Sequence, residues 1–500
     1  MENIQSLIYG FHVALTVQNL IAAVFGGVMG LIVGAMPGLG SLTGVALLLP
    51  LTFKMEPTTG IIMLAAIYYA NMYGGSFSAI LLNIPGDSPA VMTALDGYPL
   101  SKNGKAGKAL FAANISSFIG GTIGIIILTM VGPALAKVGL AFGPAEQAAL
   151  ILFALTSIGW LLGDAPLKGL LTTSFGLLLA TIGVDLQLGS IRYTFGSINL
   201  LSGVTFIPLV IGMFGFSQVM DMMINRKNFN EIATTKLTIK ESMLTFSELK
   251  GILPTIFRSG FLGNFVGLLP GAGATTGSFL SYILEKKVGR DRANLGTGSL
   301  SGVAAAESAN NAAAAGAFAP LLALGIPGSG TAAVLLGGLM MWGLRPGPLL
   351  FKEAPDFVWG LIASMYVGNI IVVILALAII PFVVNILRVP LSIMAPLVAV
   401  VCIVGSYSVN NSMFDVWFMI GSGVIAYLFN VYDYPVAPLL LAFVLAPRFE
   451  QSIRQAFEIS NGSAIIFFKS PIALTFIILI VVFVLSPIIM KMFKKNGKEA

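Results

Sequence analysis

Four short stretches set proline and glycine beside serine, threonine or aspartate in the middle of apolar sequence. They are Pro37-Gly38-Leu39-Gly40-Ser41-Leu42-Thr43, Asn83-Ile84-Pro85-Gly86-Asp87-Ser88, Pro270-Gly271-Ala272-Gly273-Ala274-Thr275-Thr276 and Pro327-Gly328-Ser329-Gly330-Thr331. Proline removes a backbone N–H and clashes with the preceding turn, and glycine accepts the positive φ that follows, so each stretch predicts a broken helix. Backbone groups freed at membrane depth are tolerated where they face a watery cavity or a ligand. A helix restarting after a break offers N–H groups and the positive end of its dipole, which can hold a carboxylate without arginine. The opposite helix ends offer carbonyls to a cation such as sodium. The predicted substrate lining is the backbone of these breaks with Ser41, Thr43, Asn83, Ser88, Thr275, Thr276, Ser329 and Thr331. A single such motif is equally well explained by close helix contact through small residues; the paired set favours a site.

Two acids stand alone in apolar sequence. Glu307 is the sole charged residue between Arg292 and Arg345, and on a helix it shares a face with Asn310 and Asn311. An ionised glutamate at the centre of a membrane helix costs about 2.5–3.5 kcal/mol on insertion scales, so it needs a partner, a proton or a cavity. The bland alternative is an interfacial position near the cytoplasmic end. Asp87 is the sole charged residue between Glu56 and Asp96. These residues, Asp87, Glu307, Asn310 and Asn311, are the candidates for coupling to sodium or protons. Asp164, Asp185 and Asp415 lie near the ends of apolar runs and read as loop residues. His12 is the only histidine and Cys402 the only cysteine. A Ser-His-Asp triad would have to use His12, which reads as interfacial, and neither a disulfide nor a zinc site of several His or Cys ligands can be built. No Walker A sequence is present, which argues against direct ATP drive. No organic cofactor is expected.

The elements that must hold these residues are membrane helices. Hydrophobic residues make up 57% of the 500 and charged residues 10%, with a mean hydropathy of +0.94, which excludes a water-soluble fold. At about 20 residues per crossing, the apolar stretches predict roughly twelve transmembrane helices. Residues 1–53 contain no Lys or Arg, so the start lacks the positive region of a cleaved signal peptide and the first apolar segment is expected to remain.

The segment Gly30 to Gly44 reappears as Gly263 to Gly277 with every glycine and the proline at the same spacing, and the second motif follows each copy. This predicts two repeat halves, residues 1–224 and 258–500, joined by a linker at 225–257 and forming one transport domain. Arg226, Lys227, Lys236, Lys240, Lys250 and Arg258 make the linker region cytoplasmic, and Lys491, Lys494, Lys495 and Lys498 do the same for the C-terminus. The loop charges swap sides between the copies. Lys54 stands where the second copy has Lys286, Lys287, Arg290 and Arg292, whereas Lys102, Lys105 and Lys108 stand where it has Arg345 and Lys352 beside Glu353 and Asp356. Inverted-topology repeats require such a swap, and they would place the N-terminus in the periplasm; a parallel duplication is the alternative.

Pro37-Gly38-Leu39-Gly40, Tyr73-Gly74-Gly75-Ser76 with Asn83-Ile84-Pro85-Gly86, Leu268-Leu269-Pro270-Gly271-Ala272-Gly273 and Leu324-Gly325-Ile326-Pro327-Gly328-Ser329 resemble the large membrane subunit of the tripartite tricarboxylate transporters, over nearly the whole chain. The resemblance implies the translocating subunit of a bacterial inner-membrane secondary transporter. It also implies a small membrane subunit and a periplasmic solute-binding protein as partners, and a tricarboxylate or related carboxylate as substrate, driven by sodium or protons. An intramembrane enzyme acting on a lipid or lipid-linked phosphate is the main rival, short of a general base. A passive anion channel is a third reading.

Overall fold

The computed structural model describes residues 2–36, 38–161, 166–185, 188–224, 237–383, 387 and 391–496. Pro37, Asp164, Arg226, Lys227, Lys236 and Lys498 therefore lie outside the described residues. The only strands among the described residues are the antiparallel pair Gly183–Val184 and Ile191–Arg192, with Gly183 opposite Arg192. Everything else with regular structure is helix. Six helical stretches are long and apolar enough to cross a membrane: Val17–Ala35, Ala90–Gly139, Phe206–Ile224, Pro355–Ile379, Ser392–Asn410 and Met413–Val431. Four shorter apolar helices, Ser41–Thr52, Pro166–Ala180, Gly330–Met341 and Pro471–Leu485, accompany them. The chain is a multi-pass membrane protein. Where hydropathy alone predicted about twelve crossings, six of the described helices reach that length and composition by themselves.

In chain order the helices are α1 (Glu2–Ala14), α2 (Val17–Ala35), α3 (Ser41–Leu48), α4 (Pro57–Leu82), α5 (Ala90–Leu100), α6 (Ala106–Gly139), α7 (Pro144–Leu161) and α8 (Pro166–Ala180). Short helices α9 (Phe206–Val210), α10 (Ser217–Ile224) and α11 (Ile239–Ser242) follow. Then come α12 (Phe246–Gly267), α13 (Gly273–Val288), α14 (Leu300–Gly316), α15 (Phe318–Leu324), α16 (Gly330–Met341), α17 (Leu350–Glu353) and α18 (Pro355–Ile379). The chain divides into two compact units, Met1–Ala136 with Phe206–Leu428, and Lys137–Thr205 with Phe429–Ala500.

The larger unit is built on α4 and α14. Residues Thr59–Leu81 of α4 and Ser301–Gly316 of α14 are buried without a gap, as expected of helices that are apolar or small on every side. Helix α2 sets Gly26, Gly30 and Gly34 on the main chain of Met63, Ile67 and Asn71 in α4, and α12 sets Gly263 and Gly267 on that of Ala309 and Ala313 in α14. Glycine at four-residue spacing is what lets two backbones approach this closely. Residue numbers rise together across both contacts, so the paired helices run the same way. Between them the chain turns back. Gly44 of α3 lies against Val33 of α2, and Glu285 of α13 accepts bonds from Thr255 and Arg258 of α12, so α2–α3 and α12–α13 are helical hairpins with their tips at the first and third breaks. Other contacts run in opposite directions. Along α5 and α14, Leu100 lies by Gly298, Asp96 by Gly302 and Thr93 by Glu307; along α4 and α16, Tyr68 lies by Ser329, Leu64 by Gly338 and Gly60 by Trp342.

The smaller unit contains α7, α8 and the helices Ala437–Ile459 and Pro471–Asn496. Gly176 of α8 sits on the main chain of Leu439. Asp185, expected as an ordinary loop residue, is buried and ion-paired: Arg454 reaches it at 2.7 Å and Arg192 at 3.7 Å, while Glu450 pairs with Arg192 at 2.8 Å. The cluster ties the strand pair to the helix Ala437–Ile459, since a buried carboxylate must keep its cations.

Candidate functional site

Each break takes the local form its residues dictate. Gly38 has φ +87°, Gly271 +78° and Gly273 +60°, all in the region that disfavours a side chain. Helices α4 and α15 end on left-handed caps at Asn83 (φ 58°) and Gly325 (φ 69°). Beyond those caps Gly86 lies on the carbonyl of Gly34 and Gly328 on that of Gly267, so each second-motif glycine rests on the hairpin of its own half.

The breaks meet in a closed ring of contacts. The Asp87 carboxylate accepts from Ser41 N at 2.9 Å and from Ser88 N at 2.8 Å, joining the first break to the second and placing an anion at the N-termini of α3 and α5. Ser41 Oγ lies 3.0 Å from Thr331 Oγ1, joining the first break to the fourth. A side chain on Gly273 would begin 3.7 Å from Ser329 Cβ, joining the third to the fourth. Ser278 Oγ donates to the Pro89 carbonyl at 3.1 Å, joining the third to the second. Ser329 Oγ caps α16 by accepting from Ala332 N at 3.1 Å, and Tyr68 OH lies 3.3 Å from it. One carboxylate, several hydroxyls and the starts of restarted helices thus converge from both halves of the sequence.

Not every predicted lining residue joins them. Thr43 follows Ser41 by two positions, which on a helix points it to the far side, and its hydroxyl is given to the Phe214 carbonyl at 3.4 Å. Thr275 is exposed and Thr276 half-buried at the start of α13, and Asn83 and Ser88 have exposed side chains. Pro85 is half-buried and Pro327 buried. Glu307 is fully buried in α14, where Thr93 of α5 and Ser117 of α6 donate hydroxyls to it, with Ser117 at 3.0 Å. Asn310 and Asn311 are buried one turn further along α14. His12 is exposed. Among the described residues no group of three or more His, Cys, Asp or Glu is placed to hold a metal ion.

The comparison with known proteins now decides the family. The model of the tripartite tricarboxylate transporter TctA family matches residues 20–441. The chain belongs to this family. It is 39% identical over 476 residues to an uncharacterised 52.8 kDa protein in the TAR-I ttuC′ 3′ region of Agrobacterium vitis, covering 95% of this chain and 94% of that one. A second Agrobacterium vitis protein, in the TAR-II ttuC′ 3′ region, is 43% identical over 211 residues, covering 42% of this chain and 87% of that one. No solved structure matches. TctA is a transporter family, and the ring of breaks lies wholly inside the matched span.

Several residues of this TctA-family site carried no motif. Gln218 of α10 stands against Gly38, with its Nε2 2.7 Å from where a Cβ would begin. Asn71, fully buried on α4, points its amide at Gly44, and neither amide atom has a hydrogen-bond partner. Asp96 of α5 is fully buried and accepts from Tyr282 OH at 2.7 Å and from the N–H groups of Gly296, Gly298 and Ser299 at 2.8, 3.0 and 2.8 Å. It clamps the end of α5 to the start of α14. A lone acid in an apolar run was a readable signal for it. A surface cavity of about 190 Å³ lies away from the breaks, beside Lys105, Lys108, Glu248 and Asp291.

Proposed function

We propose that this chain is the translocating subunit of a binding-protein-dependent secondary transporter that takes up tricarboxylates or related organic carboxylates across a bacterial inner membrane. The observation that carries the reading is the ring formed by Ser41, Asp87, Ser278, Ser329 and Thr331 where the four helix breaks meet. Irregular backbone at that depth needs a polar ligand or cavity, and restarted helices suit carboxylates. The substrate lies at the ring, with the gradient of sodium or protons supplying the drive. Family membership supports partner subunits, for which we propose a small membrane subunit and a periplasmic solute-binding protein.

The two halves are proposed to be inverted repeats. Equivalent hairpins and equivalent glycine seats occur in both, and α5 runs antiparallel to α14, as does α4 to α16. The topology follows. Segments bearing Lys102, Lys105 and Lys108, the end of the linker at Ser242 and Glu248, and the loop through Asp291 to Gly298 gather at one end, the proposed cytoplasmic face, while Thr52 meets Gly60 and Trp342 elsewhere.

Reconstituting the chain with both partners in vesicles, and following labelled citrate and smaller carboxylates under sodium or proton gradients, tests the function. Saturable uptake that needs the gradient and the binding protein is expected. Robust saturable uptake by the chain alone, or rates indifferent to either gradient, would refute the reading.

A further inference from the structure

We propose that Glu307 is the carboxylate of a monovalent-cation site set inside the helices and apart from the ring of breaks; the proposal rests on the carrier reading above. Its carboxylate has hydroxyl donors in Thr93 and Ser117 and a side-chain hydrogen bond with Asn310, and among the described residues no Lys, Arg or His stands in an ion pair with it. The hydroxyls and the amide bonded to it are uncharged, and α12 brings the main-chain carbonyl of Ile256 to the neighbouring Ser308. From α4 comes Tyr73, whose hydroxyl is given to Asn369 Oδ1 at 2.8 Å; α5 adds Asp96 one turn beyond Thr93, already held by Tyr282 and main-chain N–H groups; α6 adds Ser117 with Asn114 one turn away. An ionised carboxylate so placed needs a compensating charge.

The neighbours say which charge. Asn310 Oδ1 and Asn311 Oδ1 are buried acceptors without a hydrogen-bond partner, on the same face of α14 as Glu307, and Asn114 has neither amide atom partnered. A proton would neutralise Glu307 but supply a single donor. A cation takes several oxygen ligands at once, so it would satisfy the carboxylate and both amide oxygens together, with the hydroxyl oxygens of Thr93 and Ser117 in reach. One carboxylate balances one charge, which selects a monovalent ion over calcium or magnesium. The site also has leverage. Thr93 lies in the first turn of α5, about 5 Å along the axis from the helix start that follows the second break. An ion binding Thr93, Ser117 and Glu307 together would fix α5 against α6 and α14, and with it the position of Asp87 in the ring, coupling ion to substrate.

Thermal unfolding of the purified full chain, in sodium chloride against choline chloride at constant ionic strength and without any carboxylate substrate, tests this site separately from the substrate reading. A saturable rise in Tm with sodium is expected, because a ligand of the folded state stabilises it. The half-saturating sodium concentration should rise at least tenfold in Glu307→Gln and in Asn310→Ala, and Ser117→Ala serves if Glu307→Gln does not fold. Equal Tm in both salts, or an unchanged sodium response in Asn310→Ala, would overturn the site. A pH-dependent Tm abolished by Glu307→Gln with no sodium response would also overturn it, in favour of a proton. If sodium binds as expected yet gradient-driven uptake is absent, the carrier reading fails and the ion site stands.

Discussion

Replacing Asp87 by asparagine keeps the shape of the side chain and removes its charge, at the one residue that joins the starts of α3 and α5. Its two oxygens each take a main-chain N–H, from Ser41 at 2.9 Å and from Ser88 at 2.8 Å. A hydrogen bond to a charged group contributes about 1.5–3 kcal/mol net. Asparagine offers one oxygen, so one N–H is satisfied by a neutral acceptor while the other faces an NH2 group and must turn to water. Asp87 is half-buried, which lets water soften the loss, and we predict a net cost of about 2 kcal/mol. At 1.4 kcal/mol per factor of ten, that is roughly a 30-fold fall in the population with the first two breaks seated together. Two measurements check it: thermal unfolding of the purified chain, and initial rates of carboxylate uptake with both partners present. Both should fall in Asp87→Asn. Asp87→Ser, which copies the residue at the fourth break, should restore little, because a serine that caps its own helix, as Ser329 does, does not reach Ser41 N. Unfolding and uptake unchanged in Asp87→Asn at normal expression would refute the seating argument.

Further outcomes follow from other contacts. Gly34→Ala and Gly267→Ala would drive a methyl into the main chain of Asn71 and Ala313, and each should cost about 1–3 kcal/mol or abolish folding, whereas Gly421→Ala, with open space around it, should be neutral or slightly stabilising in the same unfolding assay. Asp96→Asn should cost about 3 kcal/mol and raise amide hydrogen exchange at residues 296–299, since the carboxylate now holds Gly296, Gly298 and Ser299; protection equal to wild type there would count against the clamp. Burial pushes the Glu248 carboxyl up, but the Lys108 ammonium and the Thr245 hydrogen bonds outweigh it and hold the carboxyl below its usual value. A lowered folded pKa gives stability that is present above about pH 4.5 and lost as pH falls through the folded value. Glu248→Gln should therefore flatten the acid limb of a stability–pH profile below pH ~4.5 and cost about 0.5 kcal/mol at neutral pH, a pair this exposed being worth little more.

The breaks were legible because proline followed directly by glycine acts locally, whereas prolines without a following glycine, such as Pro99, Pro133 and Pro254, stay inside helices; all four interruptions fell where the sequence put them, Pro37 itself lying outside the described residues. What joins the breaks was not local. That Ser41 meets Thr331, or that Ser278 reaches Pro89, depends on how α3 lies on α16 and α13 on α5, and nothing in either segment encodes its partner. Thr43 shows the limit of proximity in sequence, since two positions along a helix are about 200° apart and its hydroxyl goes to Phe214. Glu307 was visible as a lone acid but its depth was not, because Ala-rich sequence around it suits an interface and a crowded interior alike. Asn71 and Tyr68 sit within the apolar run of α4 and became site residues only through what packs on them.

The correspondence between the halves separates scaffold from chemistry. Gly34 and Gly267 seat Gly86 and Gly328 in the same way, and Gly44 meets Asn71 as Gly277 meets Ala313. The same spacing that carries Gly86 to Gly328 carries Asp87 to Ser329 and Asn83 to Gly325, and it carries Glu307 back to Ala65. Gly30, Gly34 and Gly86 keep glycine counterparts in Gly263, Gly267 and Gly328, while Gly26 has Ser259 in its place and the acids Asp87 and Glu307 are found once. A backbone seat must be duplicated if both hairpins are to close, because each Cβ would strike a carbonyl. A charge need not be. Two carboxylates facing each other across the ring would repel one another and any anionic ligand. With Asp87 bonded to the helix starts of its own half, the opposite side presents Ser329, Thr331 and the first turn of α13 without an acid among them. On the carrier reading, that neutral side is where a substrate carboxylate would meet the positive ends of α13 and α16.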